Sequence, residues 1–231
     1  SAMHLLSAGF GVVMLGFVAM SLLTGERVPA VLHVGVYSPM LLGLYLLALK
    51  GVHGHEQQAM AAGAVTRRPQ SAGQTRQTWR RFGVAALVVL AAGSWLPEVA
   101  DEMARALGLS RSFVGTVLMA IVTTLPEMAV TLGALRLGAL DMAIGNLLGS
   151  NLFNVVILAV DDAFYVRGPL LAAAAPVHAG TAVTALMMTG MVIVGLVMRT
   201  QGRVLRVMSW VSVGLVAAYA INATLMFLAR A

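Results

Sequence analysis

The chain has 231 residues, of which 59% are hydrophobic and 10% charged, with a mean hydropathy of +0.88 and a formal net charge of +6. A soluble domain carries about 25% charged residues, and a single core of this size cannot hide so much apolar surface, so a water-soluble fold is excluded and lipid must cover the remainder. Cysteine is absent, which removes disulfides and thiolate metal sites, and the positive charges sit between apolar runs instead of forming an aromatic-rich stripe, which argues against a nucleic-acid partner.

Ser1-Ala2-Met3 is not preceded by a charged leader segment and reads either as a cloning scar or as the cut edge of a longer chain. At about 20 apolar residues per crossing, the expected fold is an all-α bundle of about seven transmembrane spans. Leu5–Leu23 and Val28–Leu49 come first and form a unit over 1–50. Gly51–Arg81 follows, with Arg67, Arg68, Arg76, Arg80 and Arg81 set among Gly, Gln, Pro and Ser, the composition of a flexible basic connector. Phe82–Leu96 is a short span that Pro97–Leu109 is expected to continue as an amphipathic helix. Phe113–Leu135, Met142–Val160, Leu170–Met198 and Val207–Leu228 complete a five-span unit over 82–231, and Leu170–Met198 is long enough to tilt strongly or break. The positive-inside rule places 51–81 in the cytoplasm. Alternating from there puts Lys50, Arg136, Arg199, Arg203 and Arg206 on the same side, and Glu98, Asp101, Glu102, Asp161 and Asp162 on the other.

Polar residues inside a span normally face a pathway or the bundle interior. Glu127 lies mid-span beside Thr123, Thr124 and Pro126. The proline removes a backbone donor and clashes with the carbonyl four residues earlier, so the helix should kink or break there. Freed carbonyls, two hydroxyls and a carboxylate form an all-oxygen set suited to a hard cation such as Na⁺ or Ca²⁺. On the next span Asn146, Ser150 and Asn154 recur every fourth residue and share a face that Asp161 continues. Gly145 and Gly149 lie beside that stripe and would let another backbone approach closely. Asp161 and Asp162 end this span either as attractors of cations at an outer mouth or as a solvated helix end. His178, alone in an apolar helix, reads as hydrogen-bonded packing.

Thr123-Thr-Leu-Pro-Glu127 followed by Gly145-Asn-Leu-Leu-Gly-Ser-Asn-Leu-Phe-Asn154 resembles the α-repeat of the calcium/cation antiporter superfamily, which includes the sodium/calcium exchangers. The α-repeat signature covers 113–160. The resemblance implies that Thr123, Thr124, Glu127, Ser150 and Asn154 supply ligands to a transported cation, with Thr131, which matches a family serine, as a secondary candidate; Asn146 and Asp161 are secondary candidates by their place on the polar stripe. Val122 replaces the usual glycine, and Asn154 stands where relatives carry Asn or Asp, leaving Glu127 as the sole matched carboxylate. The family arrangement is ten helices in two inverted halves, each with one α-repeat. By that comparison 1–50 holds the last two helices of the first half, and three helices of about 100 residues are missing unless a second copy completes the site.

The expected function is therefore alternating-access exchange of Na⁺ or H⁺ against Ca²⁺ or another cation, with no cofactor and no enzymatic activity. The membrane would be the bacterial inner membrane, and Leu170–Met198 would be among the helices that slide. Two other readings stay open: a non-transporting membrane subunit or inactive fragment, and an intramembrane hydrolase using Ser150 with His178 as base.

Overall fold

The computed structural model of the protein describes residues 2–61, 72–198, 203–204 and 208–228. Among these, eight helices and two short hairpins account for most of the chain. They are α1 (Ala2–Thr24), α2 (Tyr37–Ala61), α3 (Ala72–Leu107), α4 (Arg111–Arg136), α5 (Leu140–Phe164), α6 (Leu170–Ala173), α7 (His178–Met198) and α8 (Trp210–Leu228). All but α2 and the four-residue α6 are long and apolar enough to cross a bilayer, six in total. Helices dominate because hydrocarbon offers no partner for a backbone amide, and a helix satisfies its own.

The second predicted span starts later than expected. Residues 25–35 form a 3₁₀ turn and an antiparallel hairpin, β1 (Ala30–Val31) with β2 (Val34–Gly35), and helix begins only at Tyr37. Pro29 and the turn residues Leu32 and His33 interrupt the apolar run; Leu32 adopts φ 60°, left-handed for a non-glycine residue. The expected connector is helical at both ends, since α2 extends to Ala61 and α3 starts at Ala72. Arg67, Arg68, Arg199 and Arg206 lie outside the described residues. Phe82–Leu96 and its continuation form one unbroken helix through Pro97, and Leu170–Met198 does break, into α6 and α7 around Pro176. Tight hairpins join α3 to α4 and α4 to α5. At each, a left-handed glycine closes the preceding helix, Gly108 at φ 63° and Gly138 at φ 72°.

The core lies between α1, α2, α5, α6 and α7, around Met14, Leu41, Ala48, Leu152 and Val155. The contact between α1 and α7 is the most extensive, and small residues permit it: a Cβ at Gly11 would lie 3.8 Å from the Thr189 methyl. In contrast, α3 is uncovered. No residue between Phe82 and Leu96 is buried, and its packing is mainly against the start of α4, where Asp101 pairs with Arg111 at 2.9 Å.

Charged groups of both signs collect at the two ends of the bundle. One end gathers the start of α1, Gly51 of α2 against Leu6, Arg136 and Asp141; the other gathers Glu26, Asp161 and Asp162, together with Arg27 and Arg167.

Candidate functional site

The interruption predicted at Pro126 is present in α4. Helix runs from Ala120 to Thr123, Thr124 sits at φ −90°, ψ −2°, and a new segment starts at Leu125 with the proline in its first turn. There the missing N–H is harmless because first-turn donors have no intrahelical acceptor. A stretch of π-helix, Val114–Met119, precedes the break, a further departure from regular α-helix. Pro97, with the same Leu-Pro-Glu local sequence, leaves α3 continuous, so proline alone does not produce the interruption.

The two threonine hydroxyls turn back onto the helix. Thr123 Oγ1 donates to the Met119 carbonyl at 2.9 Å, and Thr124 Oγ1 to the Ala120 carbonyl at 2.8 Å. Each hydroxyl proton is thus committed to the backbone, which leaves the oxygen lone pairs as acceptors. Glu127 is half-buried on the first turn after the break, and its Oε2 is buried with no hydrogen-bond partner among the described residues. A buried carboxylate oxygen without a donor is costly.

Across from it, α5 contributes Asn146, whose Nδ2 donates to the Glu127 carbonyl at 3.3 Å and to Thr131 Oγ1 at 3.1 Å. The structure thus brings Glu127, Thr131 and Asn146 into one cluster. In this antiparallel register, four residues along α5 to Ser150 correspond to one turn back on α4, towards Thr123 and Thr124. Ser150 is half-buried and donates to the Leu147 carbonyl at 3.1 Å, whereas Asn154, Thr123 and Thr124 are exposed on a face this chain does not cover. The glycines differ from expectation: a Cβ at Gly145 would face His4 of α1 at 3.9 Å rather than α4, and Gly149 faces open space.

Of the two aspartates that end α5, the expectation for Asp162 needs correcting. Asp161 is exposed at the far end of α5, away from Asn146. Asp162 is neither a cation mouth nor a solvated end: it is 0% exposed and accepts hydrogen bonds from Gly35 N, Tyr37 Oη, Ser38 Oγ and Leu170 N at 2.5–2.8 Å. Tyr37 Oη in turn accepts from Leu171 N at 3.0 Å. The face Leu148, Leu152, Val155 and Ala159 is buried and continues to Asp162, which is the sequence signal that separates it from its neighbour. A second pair was also missed, His4 Nε2 with Asp141 Oδ1 at 2.9 Å. Ser150 and His178 do not form a nucleophile–base pair, since His178 Nδ1 lies 3.5 Å from Thr116 Oγ1 and Ser150 binds its own helix.

An interrupted membrane helix carrying a carboxylate oxygen buried without a partner, set against a neighbour with a polar stripe, defines an integral membrane protein with a polar interior. Residues 78–228, well over half of the chain, match the family described as sodium/calcium exchanger protein, and the chain belongs to that family. Similar proteins include the inner membrane protein YrbG of Escherichia coli (strain K12), 34% identical over 77 residues, 33% of this chain and 24% of that protein. The putative antiporter CaxA of Alkalimonas amylolytica is 36% identical over 97 residues, 42% and 30% of the two chains. The sodium/calcium exchanger MaX1 of Methanosarcina acetivorans is 39% identical over 82 residues, 35% and 23%. The chain thus spans less than a third of the length of these curated relatives. No solved structure matches it.

Proposed function

We propose that the protein is a cation antiporter that exchanges Na⁺ or H⁺ against Ca²⁺ or another cation by alternating access, with Glu127 as the charged ligand. The observation that carries this reading is the buried, unpartnered Oε2 of Glu127 at the start of a helix segment. A cation bound there offsets the cost of a buried carboxylate oxygen left without a donor, and in this proposal a proton takes the same place. Thr123 and Thr124 supply hydroxyl oxygens from the break, and Ser150 and Asn154 supply oxygens from α5. Family membership and the named antiporter and exchanger among its relatives support the same reading.

The exposed Thr123, Thr124 and Asn154 indicate that a second polar surface completes the site, because polar groups left to lipid are unfavourable. In this proposal α1 and α2 end the first half of an inverted pair, α3–α8 make up the second half, and a second α-repeat comes from further chain or from another copy. The molecular mass of the detergent-solubilised particle separates these two sources. By the positive-inside rule the end with Lys50 and Arg136 faces the cytoplasm. Mobility is assigned to α3, which the bundle does not cover, in place of α7, which packs extensively along α1.

The test is Na⁺-gradient-driven Ca²⁺ uptake into proteoliposomes. Glu127→Gln should reduce uptake at least ~100-fold, as expected when the only charge opposing a buried cation is removed. Wild-type exchange in Glu127→Ala would refute the assignment.

A further inference from the structure

We propose that Asn146, a candidate ligand by its place in the polar stripe, is instead a positioning residue that sets the height and rotation of Glu127. This inference rests on the reading of Glu127 as the charged ligand. Among the described residues, both hydrogen bonds that join α4 to α5 come from the Asn146 amide nitrogen, one to the Glu127 carbonyl and one to Thr131 Oγ1. An amide N–H₂ carries no lone pair for a cation. Its two acceptors are one helical turn apart, so a single side chain fixes both the register and the roll of the segment Leu125–Arg136.

The need for such a contact follows from the interruption. Pro126 has no N–H, so the ladder that would tie Glu127 to the preceding half of α4 is weakened at the point where the carboxylate must be held. The frame comes from α5, which is anchored at both ends: by His4 on Asp141, five residues before Asn146, and by the four donors on Asp162. Asn146 carries that fixed frame across to the broken helix.

The two roles for Asn146 predict opposite signs for one substitution. Asn146→Asp adds a carboxylate, which would tighten binding of a divalent ion if the side chain were a ligand. For a positioning residue it removes the donor and points a carboxylate oxygen at the Glu127 carbonyl, a repulsive contact that a hydrogen bond from the Thr131 hydroxyl does not replace.

Na⁺-driven Ca²⁺ uptake in proteoliposomes, with KM and maximal rate determined separately, decides between them. We expect Asn146→Asp to raise the KM for Ca²⁺ about 10-fold or more, and Asn146→Ala about 3- to 10-fold, with maximal rates less affected. Thr131→Val should raise KM less, and its effect should not add to that of Asn146→Ala because the two share a hydrogen bond. If Asn146→Asp fails to elute as folded protein, Asn146→Ala carries the test, and an unchanged KM overturns the role. A lowered or unchanged KM in folded Asn146→Asp also overturns it. Glu127→Gln separates the two claims. If it is inactive while the Asn146 variants are unimpaired, only the positioning role falls; if it exchanges normally, the Glu127 reading falls and the positioning role with it.

Discussion

Asp162 shows how far a single side chain can act in this fold. Four donors from β2, α2 and the start of α6 converge on its carboxylate, so one group ties the α1–α2 connection to the end of α5. Asp162→Ala leaves those donors buried and unpaired and should destabilise the protein by at least ~3 kcal/mol. Thermal unfolding in detergent would show the loss, and Asp162→Asn, which keeps one acceptor oxygen, should lie between the two. Gly35 is required for a different reason: a Cβ there would come within 2.2 Å of the Tyr37 ring. Gly35→Ala should therefore displace the ring from Asp162 and lower stability in the same assay. The adjacent aspartates were indistinguishable as residue types. Their faces are distinguishable, since Asp162 extends the apolar stripe of α5 and Asp161 extends the polar one.

At the level of elements, α4 and α3 make an instructive pair because both carry Leu-Pro-Glu, yet only one is interrupted. In α4 both residues before Leu125 carry hydroxyls that bond back to the preceding turn, and such back-bonding favours a bend in the helix. In α3 the corresponding neighbours are Ser94 and Trp95, and Ser94 only bonds back to the Ala91 carbonyl at 2.9 Å. Pro126→Ala restores a backbone donor and favours a continuous helix. It should leave thermal stability equal or higher while lowering cation exchange at least ~10-fold, about 1.4 kcal/mol; unaffected exchange would show that the break is dispensable. Helix α2 starts later than the sequence predicts because a continuous apolar run hides a hairpin. Val28–Val36 is apolar enough to extend a span, but Pro29 and the positive φ at Leu32 end any helix there.

For the molecule as a whole, packing divides the chain into a bundle of α1, α2, α5, α6 and α7 and a less covered part in which α4 leans on α5 and α3 on α4. The division predicts which contacts survive the transport cycle. The protein lacks cysteine, so paired replacements at Gly11 and Thr189, where a Cβ added at Gly11 would lie 3.8 Å from the Thr189 methyl, can be cross-linked without background. Cross-linked protein should retain Na⁺-driven Ca²⁺ uptake, because α1 and α7 belong to one rigid unit. Loss of exchange on oxidation, recovered on reduction, would show instead that α7 slides.

Composition alone determined that the chain spans a membrane, since its apolar residues exceed what any core of this length can bury. The spacing of Thr123, Thr124, Pro126, Glu127, Asn146, Ser150 and Asn154 likewise marked the interruption and the polar stripe, because both follow from backbone chemistry and helical periodicity within a short stretch of chain. Only the tertiary structure decided that His4 meets Asp141, that Asp162 binds residues more than a hundred positions away, and that Asn146 faces the carbonyl of Glu127. Periodicity states which face of a helix is polar; the identity of the group opposite that face is set by packing between distant segments.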